Sequence, residues 1–220
     1  MKNKKIEQTA ARKRHKERLK ADRRKEPTLE RGYPGLIEKP SILIVCEGEN
    51  TEPSYFNQFK VTSATVKSVG TGYNTISLVK KAKKIAGSDM FDQVWCVFDK
   101  DDFPVADFEK AIRLARKNKM CVAYSNQAFE LWYILHFEYL NTSMDQKSYI
   151  KKLNDYLETE YKKNDDRMYH RLRCKSDIAI KNAERLMKEY HPSHPGSNDP
   201  STTVYELVKV LLNDSKLSSN

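Results

Sequence analysis

The chain has few features that would anchor it in a membrane, staple it covalently or cradle a nucleotide. No run in its 220 residues approaches the roughly 18 consecutive apolar residues of a membrane-spanning helix. The N-terminus has no apolar signal core either, so a cytoplasmic location is expected. The four cysteines do not form a zinc or disulfide framework. Cys46, Cys96 and Cys121 fall in strand-like runs, where a free thiol acts as a small buried apolar group, and Cys174 stands alone among basic residues. That usage fits a reducing compartment. No Gly-x-x-x-x-Gly-Lys-Ser/Thr loop is present, so any linked ATP hydrolysis would have to come from another protein. His191 and His194 are interleaved with prolines, have no cysteine nearby, and read as loop rather than as zinc ligands.

Charge is plentiful and unbalanced. Lys and Arg number 40 against 30 Asp and Glu, a net charge of +10, which favours polyanionic partners, nucleic acid first. Residues 1–36 are dominated by Lys and Arg, with Glu7, Glu17, Asp22, Glu26 and Glu30 interspersed and few large apolar residues. Such a segment cannot bury enough surface to fold alone, and a disordered or fraying helical arm is expected. Its recurring acidic residues argue against a transit peptide. The arm reads equally as a contact to phosphate or to a partner protein and as a solvated tail. Arg31-Gly32-Tyr33-Pro34-Gly35 marks the join to a folded part long enough to bury a core. A homo-oligomer is compatible with this composition.

Within the folded part, apolar runs alternate with helical periodicity. Ile42–Cys46 is a strand buried on both faces, ending abruptly in Glu47-Gly48. Pro53 then fits the first turn of a helix, with Asn50 or Thr51 as its cap and Tyr55, Phe56 and Phe59 as its apolar stripe. A second strand, Ala64–Val69, closes on Gly70-Thr71-Gly72. Residues 74–86 read as a helix with Ile76, Val79, Ala82 and Ile85 inward and Lys80, Lys81, Lys83 and Lys84 largely outward. Val94–Phe98 is the third strand, and a helix from Pro104 to Asn118 places Val105, Phe108, Ile112 and Ala115 on one side. Met120–Tyr124 is the fourth strand; Ser125 or Asn126 can cap the helix Phe129–Phe137 that follows. Alternation of this kind implies parallel βαβ units, hence an open α/β sheet over residues 37–140. Residues 141–220 change to helices, 148–161, 176–190 and 202–212, packed on that core. The charged stretch from Asn164 to Lys175 reads as a loop, and Pro200-Ser201-Thr202 as a helix entry.

The chemistry is expected at the carboxyl ends of the strands, where open α/β sheets bind ligands. Glu47 sits there, and so does Asp99-Lys100-Asp101-Asp102 at the end of the third strand. In extended chain, residues i and i+2 point the same way, so Asp99 and Asp101 would face one point and Lys100 and Asp102 another. Oxygen ligands clustered in this manner suit Mg²⁺ or Mn²⁺, with Glu47, Asp99 and Asp101 as the ligand set. Glu130 lies on an otherwise apolar helix; it is either a metal or water contact or a structural partner of an Arg or Lys. His136 reads as a core histidine. Lys80, Lys84, Arg167, Arg171 and Arg173 are candidate contacts to nucleic acid, although a lysine run is more often a solvated face.

A strand-end glutamate followed by a strand-end Asp-x-Asp resembles the Toprim pattern of topoisomerases, primases and certain nucleases. Three further segments, Ser125-Asn126-Gln127-Ala128-Phe129-Glu130-Leu131-Trp132, Leu135-His136-Phe137 and Asn198-Asp199-Pro200-Ser201-Thr202-Thr203-Val204, join Cys46–Glu52 in order. Together they resemble the RloB-like family, Toprim-related proteins of bacterial and archaeal defence loci, over most of residues 41–212. Gln127 and Ala128 stand where many relatives carry Pro and Cys, a departure at the helix entry. The resemblance implies a Toprim-like fold and a Mg²⁺-dependent nuclease cutting DNA or RNA, with Glu47, Asp99, Asp101 and Glu130 catalytic. It also implies a role in anti-phage defence beside an AAA-type ATPase partner. The competing reading is a non-catalytic subunit that positions nucleic acid or the ATPase; the basic arm favours it and the strand-end carboxylates oppose it. A phosphorylated receiver domain would want a late strand-end lysine, and the helical C-terminal third supplies no strand for one.

Overall fold

Ile42–Cys46 (β1) is fully buried because its neighbours on either side are strands and both its faces meet helices. The computed structural model describes residues 40–59, 61, 64–68, 75–88 and 91–216. The basic arm 1–36, its Gly-Pro join and the Gly70-Thr71-Gly72 turn lie outside the described residues. Helix α1 spans Thr51–Phe56 and runs into a 3₁₀ turn, Asn57–Phe59. Strand β2 (Ala64–Ser68), helix α2 (Thr75–Ser88), strand β3 (Gln93–Asp99), helix α3 (Val105–Lys117) and strand β4 (Cys121–Asn126) complete the alternation. Then come α4 (Glu130–Ile134), α5 (Gln146–Leu157), α6 (Met168–Leu172), α7 (Ser176–Lys188), β5 (Ser201–Thr202) and α8 (Val204–Lys216).

The strands lie in the order β2-β1-β3-β4-β5; the first four are parallel and β5 is antiparallel to β4. This open, mainly parallel sheet flanked by helices is compatible with the Toprim-like α/β architecture. Side chains alternate between its faces. Leu43, Val45, Cys96, Phe98, Val122 and Tyr124 meet the inward stripes of α2 and α3, Leu78, Val79 and Ala82 on one and Phe108, Ala111, Ile112 and Ala115 on the other. Ile42, Ile44, Trp95, Val97 and Ala123 meet a larger layer built from α1, α4 and the C-terminal helices, with Trp132 fully buried. Truncating a buried tryptophan costs roughly 3–5 kcal/mol, so Trp132 is a major element of this layer. The described residues form one compact unit, and the C-terminal helices α5, α7 and α8 share its core through Leu153, Leu186 and Leu207. Among the described residues no helix is long and apolar enough to cross a membrane.

Several local expectations are corrected. Val105 is exposed, because the inward stripe of α3 begins only at Phe108. Cys121 is exposed at the first position of β4, while Cys46 and Cys96 are buried. The 164–175 stretch is not all loop: Met168 and Leu172, four residues apart, bury one face of α6, and a 3₁₀ turn follows at Arg173–Lys175. Ser201-Thr202 leads into a helix as expected, α8, whose Val204 amide donates to Thr202 Oγ1 at 3.3 Å, but the two residues are themselves an edge strand, held by polar contacts that leave no apolar alternation to read. Ser125 Oγ and Thr202 Oγ1 are 3.1 Å apart, and the Thr203 amide donates to Tyr124 O at 2.9 Å. Asn50 precedes α1 without a side-chain cap bond. Ser125 and Asn126 belong to β4 and cap nothing; Asn126 Nδ2 instead donates to Asn198 O at 2.9 Å, pinning the loop before β5.

Candidate active site at the carboxyl edge of the sheet

β1 and β3 are neighbours with Cys46 opposite Val97, and the Glu47 amide extends the ladder to Val97 O at 3.0 Å. Glu47 therefore leaves β1 beside the last residues of β3. The chain then turns through Gly48, where a Cβ would lie 2.5 Å from Glu52 Oε2. The Glu52 carboxylate folds back from the first turn of α1 against this backbone, so a side chain at position 48 would have to displace it. At the end of β3, Asp99 Oδ2 accepts the Phe129 amide at 3.0 Å, fixing the carboxylate at the entry of α4. The next residues form a turn tied to the chain after β4: Lys100 N donates to Ser125 O at 2.8 Å and Asp101 N to Gln127 O at 3.0 Å.

Asp101 has φ of 39°, in the left-handed region that aspartate tolerates better than most residues. The extended-chain argument for a shared Asp99/Asp101 direction is thus corrected in its cause. A turn, not strand alternation, brings Asp101 back to the cavity that Asp99 enters from β3.

That cavity has a volume of about 540 Å³ and is lined by Glu47, Glu49, Glu52, Asp99, Asp101 and Glu130. Phe103 and Phe129 supply apolar wall, and Lys163 is the one cationic side chain among the described lining residues. A neighbouring cavity of about 610 Å³ shares Asp101, Phe103 and Gln146 and adds Asp102 and Asp145. Glu130 is 1% exposed and has no ion pair among the described residues; Tyr161 Oη donates to its Oε1 at 3.3 Å and Gln146 Nε2 to its Oε2 at 3.2 Å.

Burial and mutual charge raise four of the carboxyls in this recess, Glu47, Glu52, Asp99 and Asp101. Burial, then the charges of Asp101 and Glu52, push Glu47 up to about 8, against a backbone hydrogen bond from Asp99. Burial is also the main cause that raises Glu52 to about 7; a bond to its own backbone and the Lys163 charge oppose it, and Glu130 adds to it. Asp99 is raised well above the carboxylate range by burial, then by Glu52, Asp101 and Glu130. Asp101 is raised by burial, with Lys163 pulling the other way.

Two observations bear on a cation. Among the described residues no group of three or more His, Cys, Asp or Glu side chains is already closed around a common point. The donor chemistry nevertheless fits Mg²⁺ or Mn²⁺: the lining is rich in hard oxygen donors, and Asp99 Oδ1 is buried with no hydrogen-bond partner among the described residues.

Glu47, Asp99, Asp101 and Glu130 are thus brought together. Lys80 and Lys84 are not; they lie on the exposed face of α2 and line neither cavity. Arg167 and Arg171 pair with Asp165 at 3.4 and 3.8 Å, and Arg173 sits exposed in the 3₁₀ turn, so none of the three lines the acidic cavity. His136 is a core residue: Nδ1 lies 2.9 Å from Trp132 O, and burial lowers it to about 4. The lining also includes residues not singled out from sequence, among them Glu49, Gln146, Glu52 and Lys163. Glu52 had a signal in its position at the first turn of the helix after Glu47; Lys163 had none.

A family model described as RloB-like protein matches residues 42–211. No curated protein matches the chain, and no solved structure does.

Proposed function

The chain belongs to the RloB-like family, and from that premise we propose that it is a Mg²⁺- or Mn²⁺-dependent nuclease of Toprim type that hydrolyses phosphodiester bonds in DNA or RNA. The observation that carries the reading is Asp99: a fixed, buried carboxylate with one oxygen unpartnered among the described residues, at the carboxyl edge of the sheet and in a recess rich in other carboxylates. Glu47, Asp99 and Asp101 would hold the ion, with Glu52 and Glu130 beside them. A divalent ion bound there would supply charge neutralisation at the phosphate and a more acidic water.

The residues themselves have distinct tasks. Glu47, pushed up to about 8 in the ion-free site, holds a proton there at neutral pH and would release it on taking up the ion, which ties ion binding to pH. Lys163 places an ammonium among the carboxylates, where a phosphoryl oxygen would otherwise meet only negative charge. Tyr161 and Gln146 hold the Glu130 carboxyl in place, and Phe103 and Phe129 limit water on the apolar wall. The family resemblance extends the proposal to anti-phage defence with an AAA-type ATPase partner in the cytoplasm.

A second reading, a binding subunit without chemistry, draws on the lack of a closed ligand cluster among the described residues. Purified full-length protein, with and without Mg²⁺ or Mn²⁺, is incubated with plasmid, single-stranded DNA and a tRNA pool. Ion-dependent cleavage that Asp99→Asn abolishes supports the nuclease; binding without product under every ion supports the second reading.

A further inference from the structure

A polyanion meets repulsion at this cavity, so its attraction to the protein has to come from elsewhere on the surface. The helix layer on the α2/α3 side of the sheet offers it. Helix α2 buries Leu78, Val79 and Ala82 and turns Lys80, Lys83 and Lys84 outward; α3 buries Phe108, Ala111, Ile112 and Ala115 and turns Lys110, Arg113 and Lys117 outward. The two helices pack side by side on the same core face.

Helix α2 carries no acidic residue from Thr75 to Ser88, and α3 carries only Asp107 and Glu109. Glu109 is engaged with Arg113 at 3.4 Å, an exposed i,i+4 pair. Among the described residues Lys80, Lys83, Lys84, Lys110 and Lys117 have no ion-pair partner. With helix axes about 8–10 Å apart and about 1.5 Å of rise per residue, these side chains form two columns of unpaired cations. Helix α3 starts directly after the Asp101–Pro104 turn, so one end of the face adjoins the acidic cavity.

The outward faces carry no aromatic ring: α2 has none, and Phe108, the aromatic residue of α3, is fully buried. Single strands are held by stacking bases on aromatic platforms, which this face lacks. We infer that the α2/α3 face is a docking surface for the phosphate backbone of a double-stranded nucleic acid, bound without reading its sequence. This deepens the nuclease proposal by naming its substrate class as duplex.

The test is made on full-length protein carrying Asp99→Asn, without divalent ion, so that binding is read apart from chemistry. Binding to a labelled duplex of about 30 base pairs, and to a single strand of equal length, is followed by anisotropy between about 50 and 200 mM salt. Adding Lys80→Gln, Lys84→Gln, Lys110→Gln and Lys117→Gln is expected to weaken duplex binding at least about tenfold and to flatten the log–log salt slope by about 3 to 4, near 0.9 per lost contact. Lys181→Gln with Lys188→Gln, which removes charge of the same sign from α7, is expected to leave the slope within about 1 of the parent. An unchanged duplex affinity and slope overturns the inference, whatever acidic protein the face then binds. So does equal flattening per charge by the α7 pair, or a single strand bound as tightly and lost to the same extent. If native protein cuts nothing with any ion while the α2/α3 variant loses duplex binding, the nuclease reading falls and the docking surface stands.

Discussion

Asp99 and Phe129 are joined across the top of the sheet: Oδ2 of Asp99 accepts the Phe129 amide at 3.0 Å, which leaves Oδ1 buried without a partner among the described residues. The bond locks the carboxylate at the entry of α4, so it cannot rotate away to relieve the charges around it. Asp99→Asn is expected to cut ion-dependent cleavage by at least about a hundredfold, while the melting temperature of the ion-free protein stays level or rises, since a buried like charge is removed. Asp101→Asn should act in the same direction. Asp102→Asn, whose side chain lines the neighbouring cavity, should change cleavage far less. Plasmid nicking and thermal melting of the same preparations check all three.

Glu130 and Glu52 are expected to separate function from stability. Glu130 has hydrogen bonds from Tyr161 and Gln146 and, among the described residues, no ion pair, so Glu130→Gln should cost no more than about 1–2 kcal/mol, not the roughly 3–5 kcal/mol of a broken buried pair. Its ion requirement should shift to higher Mg²⁺. Glu52→Gln should raise ion-free stability and also weaken the response to Mg²⁺. Normal Mg²⁺ titrations of cleavage in both variants would remove them from the site.

Stability should peak in mildly acidic solution. Glu47 and Glu52 titrate near 8 and near 7 in the folded chain, above the 4.5 of an exposed glutamate. The fold then holds protons the unfolded chain has released, so their contribution is complete below about 4.5 and is lost as pH rises through 7 to 8. His136 works the other way: lowered from 6.5 to about 4, it contributes stability present above 6.5 and lost as pH falls toward 4, worth about 3 kcal/mol. Melting temperatures from pH 4 to 9 test both arms. Mg²⁺ should raise the melting temperature more at pH 8 than at pH 6, because ion and protons compete for the same oxygens; an equal increment would argue against a carboxylate site.

Lys163 opposes the raised titration of Glu52 and Asp101. Lys163→Met should therefore move the alkaline-rising limb of a cleavage pH profile to higher pH and lower its plateau by about tenfold or more. A reduced plateau with an unmoved limb would mean that the ammonium meets the substrate without tuning the carboxyls.

The strands and their acidic ends were legible because they are local facts. Ile42–Cys46 and Val94–Phe98 are unbroken apolar runs, each stopped by a carboxylate, and a parallel βαβ order sends those stops to one edge. Glu47, Asp99, Asp101 and Glu130 followed from that reasoning and from the family pattern. The basic stretches were legible as charge but not as place. Lys80 and Lys84 proved to be exposed on α2 and to line neither cavity, whereas Arg167 and Arg171 proved to be engaged by Asp165.

What the sequence determined by itself, then, is what depends on neighbours along the chain: the periodicity that makes β1, β3, α2 and α3, and the residue type at each strand's end. The tertiary structure decided which distant groups meet. Ser201-Thr202 is a strand only because Ser125 and Asn126 are there to pair with it. Asp101 turns into the cavity because its amide is held by Gln127 O, and Lys163 reaches the same recess from a segment with no signal of its own. Glu52 and Glu130 face each other with Asp99 because packing α1 and α4 against one face of the sheet leaves their first turns at the same edge. The raised titration of Glu52 and Asp99 is a property of that packing, since burial and mutual charge arise only once the chain has closed around them.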